Sequence, residues 1–413
     1  MKVLVVILLV VCALSEAKRF FHGDQVLRLY PTEEQHFQSI TILEENFPID
    51  YWTDLHGIRP VDIHVPKKDL PRVKVFLRRN RVNFDVFIED VQKAIANQVS
   101  DRALQFDLSG FDYNSYHTLA EIYAWTDNVI AEYPDLVSAE DFGSSYEGRL
   151  LRALKISKGG EGKPSFLINC GIHAREWITP ASCMYAVKYL VEAKDGSEEN
   201  NLLNQMDFYV IVSSNPDGYD YTWSDDRMWR KTRSLRDSGS ICVGVDPNRN
   251  WDSNFGGEGS SNSPCSATYH GPVAFSEQET LLQRDFILSI KPKAYIDVHA
   301  YSELWMYPYG YTEKLSPDND FLGKIADESA AAVFATHGKR YQAGPVGTTI
   351  YPASGITVDW AYDEGGVRCS YTSELRDTGR YGFLLPENQI QPTSEESFAG
   401  IKVIANYVVN GQC

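Results

Sequence analysis

The chain has 413 residues, 43% of them hydrophobic and 23% charged, and a formal net charge of −17. That composition excludes a disordered chain, and a net negative protein repels phosphate backbones, so nucleic acid is not an expected partner. The charge is unevenly placed: residues 18–102 hold thirteen bases and thirteen acids, so the acidic excess lies beyond them and a boundary is expected near 102.

In chain order, Lys2, the apolar run Val3 to Leu14 and the small residues of Ser15-Glu16-Ala17 read as a secretory signal cleaved after Ala17. A membrane anchor is the alternative reading, but the run is shorter than the roughly 18–20 apolar residues a span needs. No later run of that length follows, so a secreted chain with no membrane association is expected. Residues 25–31 predict a strand, and Thr32 a helix cap with Glu33 and Glu34 at the positive end of the dipole. Strand-like IDYWTDL (49–55) and VDIHVP (61–66) come next, then a helix over 69–80 with Val73, Phe76 and Leu77 on its apolar face, and the strand NFDVFIE (83–89). The order strand-helix-strand-strand-helix-strand is the ferredoxin-like α+β pattern. A helical connector over 90–100 leads to Asp101-Arg102-Ala103.

Beyond residue 111 the character changes. FLINC (166–170), FYVIVSS (208–214) and KAYIDVH (293–299) are short and almost wholly apolar, which suits strands buried on both faces of a mixed, mostly parallel sheet. Helices are expected over 117–133, 180–193 and 276–290, giving an α/β layered domain with its sheet flanked by helices. Polar, glycine-rich loops are expected over 216–275 and 343–357, where sites usually sit. Six cysteines follow the signal. Spacing favours Cys170 with Cys183 and Cys242 with Cys265, while Cys369 and Cys413 either pair or stay free.

His173-Ala174-Arg175-Glu176 directly follows the strand FLINC, and a histidine and a carboxylate three apart can chelate a metal. Alone the motif is weak, since a surface turn explains it equally well. His299 ends another apolar strand, as Asp297-Val298-His299. In open α/β sheets ligands bind outside the carboxyl ends of strands, so both segments deliver ligands to one edge. Three such ligands leave a fourth zinc position open, the pattern of a catalytic site, unless each histidine is merely a satisfied core residue.

GIHAREWITP (171–180), MWRKTRS (228–234), DPNRNWD (246–252), YHGPVAFSE (269–277), HAYSELWMYPYGY (299–311) and ELRDTGRYGFLLP (374–386), in this order and joined by SSYEGR (144–149), resemble the zinc metallocarboxypeptidases of the pancreatic A/B type. The resemblance runs from about 111 to 409. It implies a signal over 1–17, an activation domain over 18–102 and a zinc carboxypeptidase domain over 103–413. It assigns one Zn²⁺ to His173, Glu176 and His299, with Asp246 orienting the first histidine. Glu374 matches the general base that takes a proton from the attacking water and passes it to the leaving amine. Without the resemblance, a surface ion pair between Glu374 and Arg376 would be the plainer reading. Arg230 matches the residue that stabilises the oxyanion. Asn248, Arg249 and Tyr351 match the grip on the substrate's terminal carboxylate, and Arg175, Tyr301 and Phe383 the lining of subsites for the rest of the peptide. Non-proline cis bonds are implied at Ala300–Tyr301, Pro308–Tyr309 and Arg376–Asp377.

The resemblance also bears on specificity and activation. The floor of the terminal side-chain pocket is acidic in the B type and apolar in the A type, and here it is Val358. Ile356 stands where the A type commonly has glycine, which narrows the pocket. Asp359 matches a residue beside the floor. Cys242–Cys265 matches a disulfide shared across the family, and Cys170–Cys183 one of the B type. The implied protein is a secreted, monomeric zymogen whose cleavage after Arg102 by a trypsin-like protease releases an exopeptidase for apolar C-termini of peptides and proteins. A B-type preference for basic C-termini and an inactive peptide-binding relative are the alternatives.

Overall fold

The computed structural model describes residues 18–53, 55, 59–99, 110–235 and 240–413. The predicted signal segment and Arg102 lie outside these residues. In the amino-terminal unit, β1 (Gln25–Tyr30), α1 (Glu34–Asn46), β2 (Asp50–Tyr51), β3 (Val61–Val65), α2 (Leu70–Arg79) and β4 (Asn83–Ile88) follow the expected order. They form a four-stranded sheet, β2-β3-β1-β4, with antiparallel pairings throughout. Its two helices bury Ile40, Leu43, Val73 and Leu77 against Leu27, Leu29, Ile63 and Val65, each such side chain contributing about 1.5–3 kcal/mol by burial. Helix α3 (Val91–Gln98) is capped by Asp90, whose carboxylate accepts from the Lys93 amide at 3.1 Å.

Two local expectations fail here. Thr32 does not cap α1: the helix begins after Glu33, and the Thr32 amide donates to the His36 ring at 3.1 Å instead. The predicted strand over 49–55 shrinks to the two residues of β2, since the Trp52 and Thr53 amides both turn onto the one Asp62 carbonyl instead of continuing the ladder.

The larger unit contains α4 (Leu119–Glu132), β5 (Val137–Ser144), β6 (Leu150–Ile156), β7 (Ser165–Cys170), α5 (Ile178–Val191), α6 (Glu198–Gln205), β8 (Asp207–Ile211), α7 (Pro216–Ser224), α8 (Gln278–Ile290), β9 (Ala294–Ala300), β10 (Leu304–Tyr307), α9 (Asn319–His337), β11 (Gln342–Pro345), α10 (Val346–Thr349), α11 (Thr357–Asp363), β12 (Cys369–Leu375) and α12 (Ile390–Val409). Eight strands form one mixed sheet in the order β11-β10-β12-β9-β7-β8-β6-β5. Its centre, β12-β9-β7-β8, is parallel and buried but for Glu374, as apolar strand runs require. Antiparallel strands extend it on both sides. The stretch expected as loop from 216 opens with a helix, α7: Asn215 accepts from the Gly218 amide and Pro216 occupies the first turn. Strand β8 ends at Ile211, three residues before the stretch 208–214 expected as strand does.

Three disulfides are present, Cys170–Cys183, Cys242–Cys265 and Cys369–Cys413. The last resolves the pairing that spacing left open. The three non-proline cis bonds lie where the resemblance put them. No helix among the described residues is long and apolar enough to cross a membrane.

Candidate active site

Three neighbouring parallel strands end at one edge and bring the site together. After β7 the chain turns sharply at Gly171, whose φ is +74° and where an added Cβ would stand 3.0 Å from Ser213 Cα. Glycine alone fits that turn comfortably. The turn carries His173 and Glu176 just ahead of α5. Strand β9 brings His299, and β12 brings Glu374 directly in register with it.

His173, Glu176 and His299 are all buried, with ligand atoms within 4.8 Å of one another. The Nδ1 atoms of the two rings face each other at 3.1 Å, and Glu176 Oε1 lies 2.8 Å from His173 Nδ1. Asp246 stands 3.1 Å from His173 Nε2, which holds the ring proton on that outer nitrogen. Burial pushes the Asp246 and Glu176 carboxyls up. Arg230 and His173 outweigh it for Asp246, and the two histidines for Glu176, so both sit below the usual carboxylate range. Asp246 Oδ2 also accepts from Arg230 Nε at 3.0 Å and Nη2 at 2.9 Å, which fixes that guanidinium beside the centre. Converging imidazole lone pairs and a carboxylate in a buried space fit a cation, and this donor set fits zinc.

Glu374 opens onto the same space. Burial pushes its carboxyl up to about 8, with Glu176 adding to the shift and His299 opposing it. It does not pair with Arg376, which is bound instead to Glu396. A cavity of about 420 Å³ joins the centre to Asn248, Arg249, Tyr351 and Val358. Arg249 is held by the carbonyls of Gly259 at 2.8 Å and Asn248 at 2.7 Å. Asn248 accepts from the Thr357 amide at 2.9 Å. Val358 is buried with Leu304, Met306, Val346, Ala353 and Ile356, forming an apolar pocket. Asp359 turns away from it: both oxygens accept from the Gly310 amide, one also from the Tyr311 amide, and burial pushes the carboxyl up to about 7.

The other three expected cleft residues are occupied from the amino-terminal unit. Asp50 takes Arg175 through contacts of 2.9 and 3.0 Å, and the Tyr51 carbonyl adds a third bond. Asp62 accepts from the Tyr301 hydroxyl at 2.8 Å while paired bidentately with Arg28. Trp52 packs on Phe383 at 5.1 Å. Arg59 donates to the carbonyls of Thr348, Thr349 and Ile350, just ahead of Tyr351. One contributor was not foreseen. Arg227 binds the Arg175 and Phe383 carbonyls at 2.8 Å and Gln98 of α3 at 3.0 Å. Its sequence signal was its place one turn before Arg230.

A buried centre of this composition, at the carboxyl edge of an α/β sheet and faced by a further carboxylate and an arginine, defines a metal-dependent hydrolase. The sequence pattern of zinc carboxypeptidases matches residues 122–400, and that of the carboxypeptidase activation peptide residues 27–98. Carboxypeptidase A1 of Sus scrofa is 43% identical over 405 residues, covering 95% of this chain and 96% of its own. Carboxypeptidase B of Homo sapiens is 41% identical over 417 residues, covering 98% and 99%. Among solved structures, thrombin activatable fibrinolysis inhibitor matches with a TM-score of 0.88 at 39% identity, over 94% of this chain and 100% of its own. The chain belongs to the zinc carboxypeptidase family. It is a metallocarboxypeptidase precursor of the A/B type carrying its activation peptide, and its substrates are peptide C-termini.

Proposed function

We propose that the chain is a secreted, monomeric zymogen of an A-type exopeptidase that removes apolar C-terminal residues. Residues 18–102 act as the activation domain, and a trypsin-like cut after Arg102 frees the catalytic domain, 103–413. The observation that carries the specificity is the pocket around Val358, whose wall is mainly apolar. A buried Lys or Arg would find no acid there. Asp359, next in sequence to Val358, has both oxygens engaged by backbone amides.

His173, Glu176 and His299 hold the zinc, which when bound supplies Lewis acidity for the scissile carbonyl and makes water a better acid. Arg249, with Asn248 and Tyr351, holds the terminal carboxylate, and that contact restricts cleavage to chain ends. Glu374 takes a proton from the attacking water and returns it to the departing amine. A raised pKa suits both halves of that task. Arg230, fixed by Asp246, donates to the oxygen that gains negative charge. Ile356 narrows the pocket. Its Cδ1 would lie 2.3 Å from a Cβ added to Gly310, so it rests directly on that backbone. Medium aliphatic side chains such as Leu or Val therefore fit better than large aromatic ones.

The test is hydrolysis of blocked dipeptides ending in Leu, Phe or Lys by the trypsin-treated chain, with and without a chelator. Chelator-sensitive release in the order Leu, Phe, Lys is expected. Faster release of Lys than of Leu and Phe would establish the B-type alternative, and no turnover of any would leave the inactive peptide-binding alternative.

A further inference from the structure

Asp297 lies fully buried in the centre of β9, between β7 and β12. Residues two apart on a strand share a face, so Asp297 and His299 point to the same side. Asp297 Oδ2 stands 3.1 Å from His299 Nε2. The carboxylate is itself held in place. Asn169, its register partner on β7, donates to Oδ1 at 2.8 Å, and the Thr357 hydroxyl donates to Oδ2 at 2.5 Å. No lysine or arginine pairs with it among the described residues. A buried carboxylate without a cationic partner is costly unless a nearby positive group uses it.

We infer that Asp297 is a positioning residue for the metal centre: it fixes the proton of His299 on Nε2 and so aims the Nδ1 lone pair at the zinc. This rests on the zinc assignment above. The spacing repeats on the other side of the centre, where Asp246 is hydrogen-bonded to His173 Nε2 at 3.1 Å. The two carboxylates differ in their other duties, since Asp246 also takes the Arg230 guanidinium whereas Asp297 takes the neutral donors of Asn169 and Thr357. Asn248 Nδ2 also approaches His299 Nε2, at 3.3 Å. Its amide oxygen is committed to the Thr357 amide, so the group facing the ring is a donor and cannot accept the ring proton. Asp297 Oδ2, at 3.1 Å, is the group beside Nε2 that can accept it. A metal-binding histidine ordinarily gives its outer N–H to such a partner, whose loss weakens metal binding about 10- to 100-fold.

The experiment uses the full chain loaded with zinc. Asp297→Asn, with Asp246→Asn alongside, is expected to bind zinc about 10- to 100-fold more weakly in competition with a chelator, while its metal-free form melts no lower than the wild type. The visible spectrum of the Co²⁺-loaded Asp297→Asn chain is expected to shift, a change that looser packing elsewhere would not make. Zinc affinity within about twofold of wild type for Asp297→Asn, with the metal-free form intact, would overturn the inference. If the wild-type chain itself holds no zinc, the zinc assignment fails instead. Should Asp297→Asn not fold, ring ¹⁵N–¹H spectra of the zinc-loaded wild type decide. Two strongly downfield, slowly exchanging histidine N–H protons, assigned to His173 and His299, support the inference. Such a proton on His173 but not on His299 overturns it.

Discussion

The amino-terminal unit and the catalytic unit use their charged residues in opposite ways. The catalytic unit turns acids and arginines inward, onto histidines and onto each other, so that Asp246, Arg230 and Glu176 are locked before any substrate arrives. The amino-terminal unit has its own apolar core and directs Asp50, Asp62 and Arg59 outward, onto groups of its neighbour. Its net charge is zero against the −17 of the rest, so the two are not held by opposite totals. They meet through directed contacts, on Arg175, Tyr301 and the 348–350 carbonyls among others, and through apolar side chains such as Phe21, Trp52 and Val91 that join the catalytic unit's core. The lesson is that the latent form is covered rather than misassembled.

The sharpest way to break this comparison is at the centre. Glu374→Gln in the trypsin-treated chain is expected to lower kcat by about 10²- to 10⁴-fold with little change in KM. Steady-state hydrolysis of a dipeptide ending in Leu measures it, and a variant that kept full activity would remove Glu374 from the mechanism. A smaller effect is expected at the cover. Asp50→Ala frees Arg175 from charge-assisted hydrogen bonds worth about 1.5–3 kcal/mol, so the uncleaved chain is expected to gain about tenfold in dipeptidase activity. An unchanged rate would mean that Asp50 does not hold the cover down. Within the pocket, Ile356→Gly is expected to raise the Phe-to-Leu ratio of kcat/KM about tenfold, and comparison of the two dipeptides reads it directly.

The smallest expected effect lies away from the interface. Burial pushes the Glu279 carboxyl up to about 7, from an ordinary 4.5. The folded state therefore keeps a proton that the unfolded state gives up, and this group's contribution to stability falls as pH rises from 4.5 through 7. In Glu279→Gln that part of the slope should vanish. Urea titrations between pH 5 and 8 would detect it, and the result should be the same with or without the amino-terminal unit.

The small sheet and three central strands of the large one, β7, β8 and β9, were legible in the sequence because buried strands leave continuous apolar runs and half-buried helices leave a period, whereas β5, β6, β10, β11 and β12 were not foreseen. The metal ligands were legible as strand-end residues, and the rest of the site through motifs whose order matched a family. What stayed hidden lacks a local signature. Helix α7 opens with Pro216-Asp217-Gly218, which reads as a turn until Asn215 is seen to cap it. The grip of Asp50 on Arg175 and of Asp62 on Tyr301 joins residues 125 and 239 positions apart. Asp297 sat in plain view two residues before His299, yet only the fold shows that among the described residues no lysine or arginine pairs with it.

The Cys369–Cys413 disulfide has a consequence of its own. It closes a covalent ring of chain, 44 residues in sequence separation, that contains Glu374, Arg376 and Phe383 together with all of α12. By chain entropy alone, such a closure stabilises the fold by about 4 kcal/mol. A single endoproteolytic nick inside the ring would sever no fragment, because the two pieces stay joined through sulfur. The strand that carries Glu374 thus stays attached to the fold after such a cut.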